Sequence, residues 1–245
     1  MQITREDRIR MERAHVRAWP ALRTADIDGW LWRSSGGGSQ RANSVSTIDF
    51  RGDNPGGAID AVEASYVALD LPVRFQTFDE TSPPELIDLL RKRGYRKGDP
   101  TTTMFKRVTS TTPSPDVEVQ DAPWTEWQEV YLSAIIENRR AVNAIILDQI
   151  PRPRAFFGCR RNGKIVATAL CAVGFGCAVI ECAATRFDVR RAGAARAVLA
   201  GLEHWASRQS VDLIGLQVVA NNEPAIALYR SLGFVAGSTN WYWVR

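Results

Sequence analysis

Shifting the 245-residue chain against itself by 139 positions brings Ile48-Asp49-Phe50-Arg51 onto Phe187-Asp188-Val189-Arg190. In the same frame Leu89 falls on Leu228 and Gly94-Tyr95 on Gly233-Phe234, while the apolar face of 58–69 meets that of 197–208. One match of this kind is chance. Several in one gapless frame, across about 60 residues, mark a duplicated unit. Whatever the unit is, the chain must fold it twice.

The pattern of apolar residues says what the unit is. In the first half a polar helix over 5–22 precedes strands at 29–34 and 43–50, then a helix at 58–69, a strand at 72–78, a helix at 84–94 and a strand at 101–108. The second half reads as helices at 124–136 and 140–149, strands at 155–160, 164–173 and 178–187, a helix at 194–208, a strand at 212–219, a helix at 223–233 and a strand at 240–245. Strands with intervening helices indicate an α/β unit with a mixed sheet, used twice. The Thr-, Ser- and Pro-rich stretch 109–116 lacks apolar periodicity and reads as a linker. The expected division is 1–108, linker 109–116 and 117–245.

Bulk properties exclude several classes. Basic and acidic residues number 31 and 27, giving a net charge of +4. The two signs alternate along the chain, so no basic stripe points to nucleic acid. No run approaches the roughly 20 apolar residues of a membrane span. The charged first residues lack a secretory core, and a cytoplasmic protein is expected. Cys159, Cys171, Cys177 and Cys182 form no Cys-x-x-Cys pair, and the nearest histidine is His204. That spacing predicts no metal site, and the cysteines read as reduced packing residues. The sequence is compatible with a homodimer.

The chemistry concentrates after the strand at 178–187. Arg190-Arg191-Ala192-Gly193-Ala194-Ala195-Arg196 leads directly into a helix, so unpaired N–H groups face outward at its positive end. Such a terminus binds phosphate. Gly193 permits a left-handed turn, the alanines keep side chains clear, and the arginines add charge. No Gly-x-x-x-x-Gly-Lys-Ser/Thr is present, and no Gly-x-Gly-x-x-Gly follows a strand. Gly36-Gly37-Gly38 lies between two strands and reads as a hairpin turn.

Arg190-x-x-Gly193-x-Ala195 resembles the Gln/Arg-x-x-Gly-x-Gly/Ala pyrophosphate loop of the GNAT superfamily of N-acetyltransferases. About 20 residues on, Leu216, Val218, Asn222, Ala225, Leu228, Tyr229, Gly233 and Phe234 resemble the superfamily's second signature, in the expected order and spacing. The resemblance covers about 117–245 and, with the repeat, implies two tandem GNAT domains. It implies acetyl-CoA as cosubstrate, with no metal. Ala183, Ala184 and Thr185 would pair with the pantetheine arm. The stretch from Arg190 and Arg191 through Gly193, Ala194, Ala195 and Arg196 would hold the pyrophosphate. Asn222 would bond near the pantetheine, and Tyr229 would protonate the departing thiolate. Thr185-Arg186-Phe187 replaces the family's Val-x-Pro.

Direct transfer requires a neutral amine, and so a base or water to take its proton. Glu181, an acid in an otherwise apolar strand, is the best candidate, with burial expected to raise its pKa. In the repeat frame Tyr229, Asn222, Glu181 and Gly193 correspond to Leu90, Pro83, Ala42 and Asn54, with Asp53 where pyrophosphate would lie. The first half therefore reads as a degenerate copy that walls the acceptor pocket or stabilises its neighbour. Arg41, Asn43 and Ser44, placed on a strand beside the glycine turn, are its candidates to touch substrate. Trp30, Trp32, Trp241 and Trp243 are expected at the interface of the halves. The expected activity is acetyl transfer to an unknown primary amine, small molecule or peptide, in a ternary complex. A non-catalytic acyl-CoA sensor, or another acyl group or acceptor, is the alternative.

Overall fold

The computed structural model describes residues 3–245. A single mixed sheet runs through both halves. The first half supplies β1 (Arg23–Ile27), β2 (Trp30–Ser34), β3 (Val45–Ser46), β4 (Arg74–Phe78), β5 (Arg96–Lys97) and β6 (Thr101–Arg107). The second supplies β7 (Val117–Gln120), β8 (Arg154–Arg161), β9 (Lys164–Gly174), β10 (Cys177–Thr185), β11 (Leu213–Val219) and β12 (Val235–Val244). Across the sheet the order is β1-β2-β3-β4-β12-β6-β11-β10-β9-β8-β7, with β5 pairing to β12.

The middle of that order is an exchange. The first half's β6 inserts beside β11, pairing antiparallel from Thr101↔Val219 to Arg107↔Leu213. The second half's β12 pairs antiparallel with β4, from Asn240↔Phe78 to Val244↔Arg74. Between them β6 and β12 pair with each other, and Thr101 faces Asn240, its own counterpart in the repeat frame. A pseudo-twofold axis therefore passes through this pair.

The helices keep the same frame. Two helices, α2 (Pro55–Val67) and α6 (Ala194–Ala206), start and stop 139 residues apart. Two more, α3 (Leu86–Lys92) and α7 (Glu223–Ser231), end in matching left-handed glycine caps. The Tyr95 N–H donates to Leu90 O at 3.0 Å, and the Phe234 N–H donates to Tyr229 O at 3.1 Å. On the opposite face lie α1 (Arg5–Ala18), α4 (Thr125–Ser133) and α5 (Glu137–Gln149). The capping box of Thr4 and Asp7 fixes the start of α1, which packs over β9, β10 and β11 of the other half.

Apolar side chains fill the space on both faces. Val198, Leu199, Leu202 and Tyr229 join strand residues such as Ala169 and Ile214 in one cluster. Met11, Trp127, Ile146 and Phe156 lie in a second cluster across the sheet. The first half's own core holds Trp30, Trp32 and Phe75, and also Trp243 from the chain's last strand. Trp241 packs against that cluster, and the Trp243 indole N–H donates to Thr77 Oγ1 at 3.0 Å.

Some local readings need correction. The strand expected at 43–50 shrinks to β3, because 41–43 turn as a 3₁₀ helix with Ser39 Oγ accepting the Ala42 N–H. The glycine turn at 36–38 is an open loop, held where Asn43 Nδ2 donates to Ser39 O at 2.9 Å and packed beside Val142 of α5. The edge strands β1 and β7 escape the sequence reading, β1 because Arg-Thr-Ala-Asp-Ile lacks apolar alternation and β7 because Val-Glu-Val-Gln alternates over four residues only. All four cysteines are free, and Cys159, Cys171 and Cys177 are buried. Among the described residues no helix is long and apolar enough to cross a membrane.

Because each half borrows its neighbour's last strand, a separate half would expose two unpaired strand edges. Fragments 1–108 and 109–245 expressed singly are expected to show no cooperative thermal unfolding, whereas co-expression restores one shared transition. A fragment that melts cooperatively alone would contradict the exchange.

Candidate functional site

The sheet opens where β10 and β11 stop pairing. They run parallel from Cys177↔Leu213 to Ile180↔Leu216, and no further. A bulge between Glu181 and Ala184 shifts the register with β9, and Cys182 within it takes φ 55°. Past this point the backbone edge of β10 toward β11 is unpaired. Ala183, Ala184 and Thr185 lie along that edge and line a cleft of about 730 Å³.

The far wall of the cleft is the start of α6. Arg191 (φ 65°) and Gly193 (φ 82°) are both left-handed, which turns the chain tightly into the helix. A Cβ at Gly193 would meet nothing within 4 Å, so conformation rather than space demands glycine there. No side chain caps the helix, and its first backbone bond runs from the Ala197 N–H to Gly193 O at 3.0 Å. The preceding N–H groups face the cleft at the positive end of the helix. Arg190, Arg191, Gly193, Ala194, Ala195 and Arg196 all line it. Arg196 donates to Ser231 Oγ at 2.7 Å, and the Arg190 guanidinium lies 5.1 Å from the Phe187 ring. Among the described residues none of these three arginines is ion-paired within the chain, which leaves their charge for an anion.

The third wall is α7. Asn222 is its N-cap, accepting the Ala225 N–H at 3.3 Å, and it also lines the cleft. Tyr229 is 9% exposed and packs edge-on to Phe234, and its hydroxyl makes no hydrogen bond to a described residue. Burial, with a smaller push from Glu181, raises its pKa above the ordinary phenol value. The group stays protonated at neutral pH and can donate.

Glu181 projects to the opposite face of the sheet and belongs to a different environment from the one expected of a base. Arg41 grips it through two hydrogen bonds, Nη1 to Oε1 at 2.8 Å and Nη2 to Oε2 at 2.7 Å. His15 Nδ1 stands 3.6 Å away. Burial alone would raise the carboxyl pKa, but Arg41 and His15 outweigh it and hold the group near a pKa of about 2. An ion so stabilised is a poor proton acceptor, so the reading of Glu181 as general base is corrected to that of a buried counter-ion. Cys182 is pushed well above its ordinary pKa by burial and is no nucleophile. His204 sits across α6 from the cleft, its Nδ1 2.8 Å from Thr111 O.

The partners of Glu181 were only partly legible. Arg41 stood out as a polar residue beside a glycine loop, but His15 carries no local signal, being over 160 positions distant in sequence. The equivalent cleft of the first half is differently furnished. Asp49, Asp53, Glu80 and Glu85 line it, and Arg5 and Arg13 of α1 lie across it. Asn54, where Gly193 stands in the other half, caps α2 by accepting the Gly57 N–H at 3.0 Å. Among the described residues no three His, Cys, Asp or Glu side chains could hold a metal ion together.

The Arg41–Glu181 pair generates a stability prediction. Arg41→Ala strands a buried carboxylate and is expected to cost about 3–5 kcal/mol, read from denaturant midpoints at neutral pH. In the wild type the folded pKa is depressed, so the pair's stabilisation is complete above about 4.5 and disappears as pH falls toward about 2. The variant lacks that acid limb. An unchanged midpoint would show the pair to be energetically idle.

A family profile described as "Probable histone acetyltransferase Rv0428c C-terminal" matches residues 6–243. The "Uncharacterized N-acetyltransferase YobR" of Bacillus subtilis is 27% identical over 249 aligned positions, covering 98% of this chain and 99% of that protein. The "[Ribosomal protein bS18]-alanine N-acetyltransferase" of Escherichia coli is 38% identical over 78 residues, which span 32% of this chain and 53% of the relative. Among solved structures, a GCN5-related N-acetyltransferase from Kribbella flavida superposes with a TM-score of 0.70 at 16% identity, covering 100% of this chain and 96% of that one. A tandem GNAT protein from the clavulanic acid biosynthesis pathway gives 0.63 at 12% identity, over 82% and 74% of the two chains. The chain belongs to the Rv0428c C-terminal family and is an acetyltransferase of the GNAT superfamily, whose members use acetyl-CoA.

Proposed function

We propose that the second half, 117–245, transfers acetyl from acetyl-CoA to a primary amine by direct attack in a ternary complex. The observation that carries this is the opening between β10 and β11, which joins the phosphate-ready cleft on one face to the Glu181 environment on the other. The pyrophosphate would rest on the α6 terminus between Arg190, Arg191 and Arg196. The pantetheine would run along Ala183, Ala184 and Thr185 beside Asn222. That places the thioester at the opening, next to Tyr229.

The amine nitrogen attacks the carbonyl carbon from the opposite face, and the C–S bond breaks as the tetrahedral adduct collapses. Tyr229 gives its proton to the thiolate sulfur, and the proton released by the amine leaves through water. The first half, 1–108, binds no acetyl-CoA in this reading, because Asp53 and Asn54 stand in the place of Ala192 and Gly193, setting a negative charge where phosphate would lie. The stretch 109–116 joins the two functional parts, and a cytoplasmic setting belongs to the same reading.

Calorimetry with acetyl-CoA is expected to give one site per chain. Gly193→Glu should abolish binding, because it forces a side chain into φ 82° and sets a carboxylate against the pyrophosphate. Tyr229→Phe should bind acetyl-CoA normally but lose kcat by roughly 10²–10⁴-fold, measured as thiol release with an accepted amine. Two sites per chain, or full activity without the hydroxyl, would overturn the corresponding assignment.

A further inference from the structure

The face of the sheet away from the cleft is apolar beneath α4 and turns polar where the halves meet. Arg33 of β2 is 1% exposed. It donates Nε to Ser44 O at 3.0 Å, and Nη2 to Ser44 Oγ at 3.1 Å and to Gln76 Oε1 at 2.7 Å. Its Nη1 is buried without an acceptor. Arg74 of β4 donates to the neighbouring Asn43 O at 2.9 Å, and its buried Nε also lacks an acceptor. Neither guanidinium has a carboxylate partner among the described residues. Arg41, the third, is committed to Glu181.

These charges share a focus. The Tyr242 hydroxyl on β12 makes no hydrogen bond to a described residue, and Arg41, Arg33 and Arg74 all act on it electrostatically. Glu12 also acts on it, but Glu12 is held by Thr103, Gln217 and Ser238. Arg139 of α5 adds further positive charge near Arg74. Burial draws the Arg33 pKa down to about 10, as expected of a cation without a counter-ion. Nearby, Nε2 of His15 and Nδ2 of Asn240 are buried without hydrogen bonds. Native interiors leave few such groups, and each calls for a partner. Arg41, Arg74, Glu181 and Tyr242 each keep part of their surface accessible rather than being sealed.

We propose that this seam is the acceptor subsite, and that the acceptor is a small amine carrying a carboxylate, held with its amine toward Glu181 and the β10–β11 opening and its carboxylate on Arg33 and Arg74. A planar guanidinium matches a carboxylate through paired N–H bonds. The first half then supplies specificity, while the second supplies acetyl transfer. The inference rests on the acetyl-transfer reading above.

The test compares matched acceptors on the full chain: L-lysine with cadaverine, L-phenylalanine with phenethylamine, and β-alanine with 2-aminoethyl phosphate. The carboxylate-bearing member of each pair is expected to have the higher kcat/KM, by on the order of 10- to 100-fold, the range for losing one charge-assisted partner. Arg74→Gln should collapse that preference toward unity, chiefly through KM. If the variant does not fold, the wild-type pairs decide alone. Equal rates within pairs, preference for the phosphate, preference for a capped lysine peptide over free lysine, or no turnover of any carboxylate-bearing amine overturns the proposal. Calorimetry on the same protein separates the two levels, since retained acetyl-CoA binding leaves the cofactor reading standing and lost binding removes both.

Discussion

Thr101–Arg107 and Val235–Val244 lie side by side at the centre of the sheet, and the rest of the molecule is arranged around that contact. Each strand leaves the half that encodes it and supplies hydrogen-bond partners to the other. The backbone groups of β4 and β11 are satisfied only because this exchange occurs. Its side chains are exchanged as well, since Trp243 completes the core around Trp30 and Phe75. Each half therefore contributes to the other's packing and to the other's backbone hydrogen bonding.

The same arrangement gives the site two unlike faces. On one, the left-handed turn at Gly193 and the small residues around it expose backbone N–H groups, and three arginines with no ion-pair partner among the described residues add charge. On the other, Glu181 is held by residues from α1 and from the loop after β2, both in the first half. The bulge at Cys182 makes the two faces communicate by ending the β10–β11 ladder early. Local backbone geometry sets where the opening lies, and tertiary packing between the halves sets what stands behind it.

The cleft was legible in the sequence because its residues are local. A glycine needing positive φ, small neighbours and a helix start are all encoded within seven positions, and Asn222 and Tyr229 follow on one helix. The repeat frame was legible because equivalent caps need equivalent residues, as at Gly94 and Gly233. Glu181 was misread for the opposite reason. An acid in an apolar strand looks like a group with a raised pKa until Arg41, 140 positions away in sequence, is folded against it. The strand exchange was equally hidden, since the periodicity of β6 and β12 is the same whichever neighbour they choose. Arg33, Arg74 and Tyr242 gave no signal at all, because only the sheet brings them together.

The pseudo-twofold axis through Thr101 and Asn240 is the symmetry of a pair of identical chains that trade their last strands. In such a pair, any substitution in the wall of one acceptor chamber is made in the other as well, and each chain must satisfy cofactor and acceptor with one set of residues. Joining the copies end to end removes that tie. Under the proposed assignment one copy is free to lose its phosphate loop and accumulate acids such as Asp53, while its Arg41 reaches across the seam to Glu181. Covalent linkage thus lets the two copies diverge, and under the proposed assignment recognition and chemistry can change independently while the sheet that joins them stays the same.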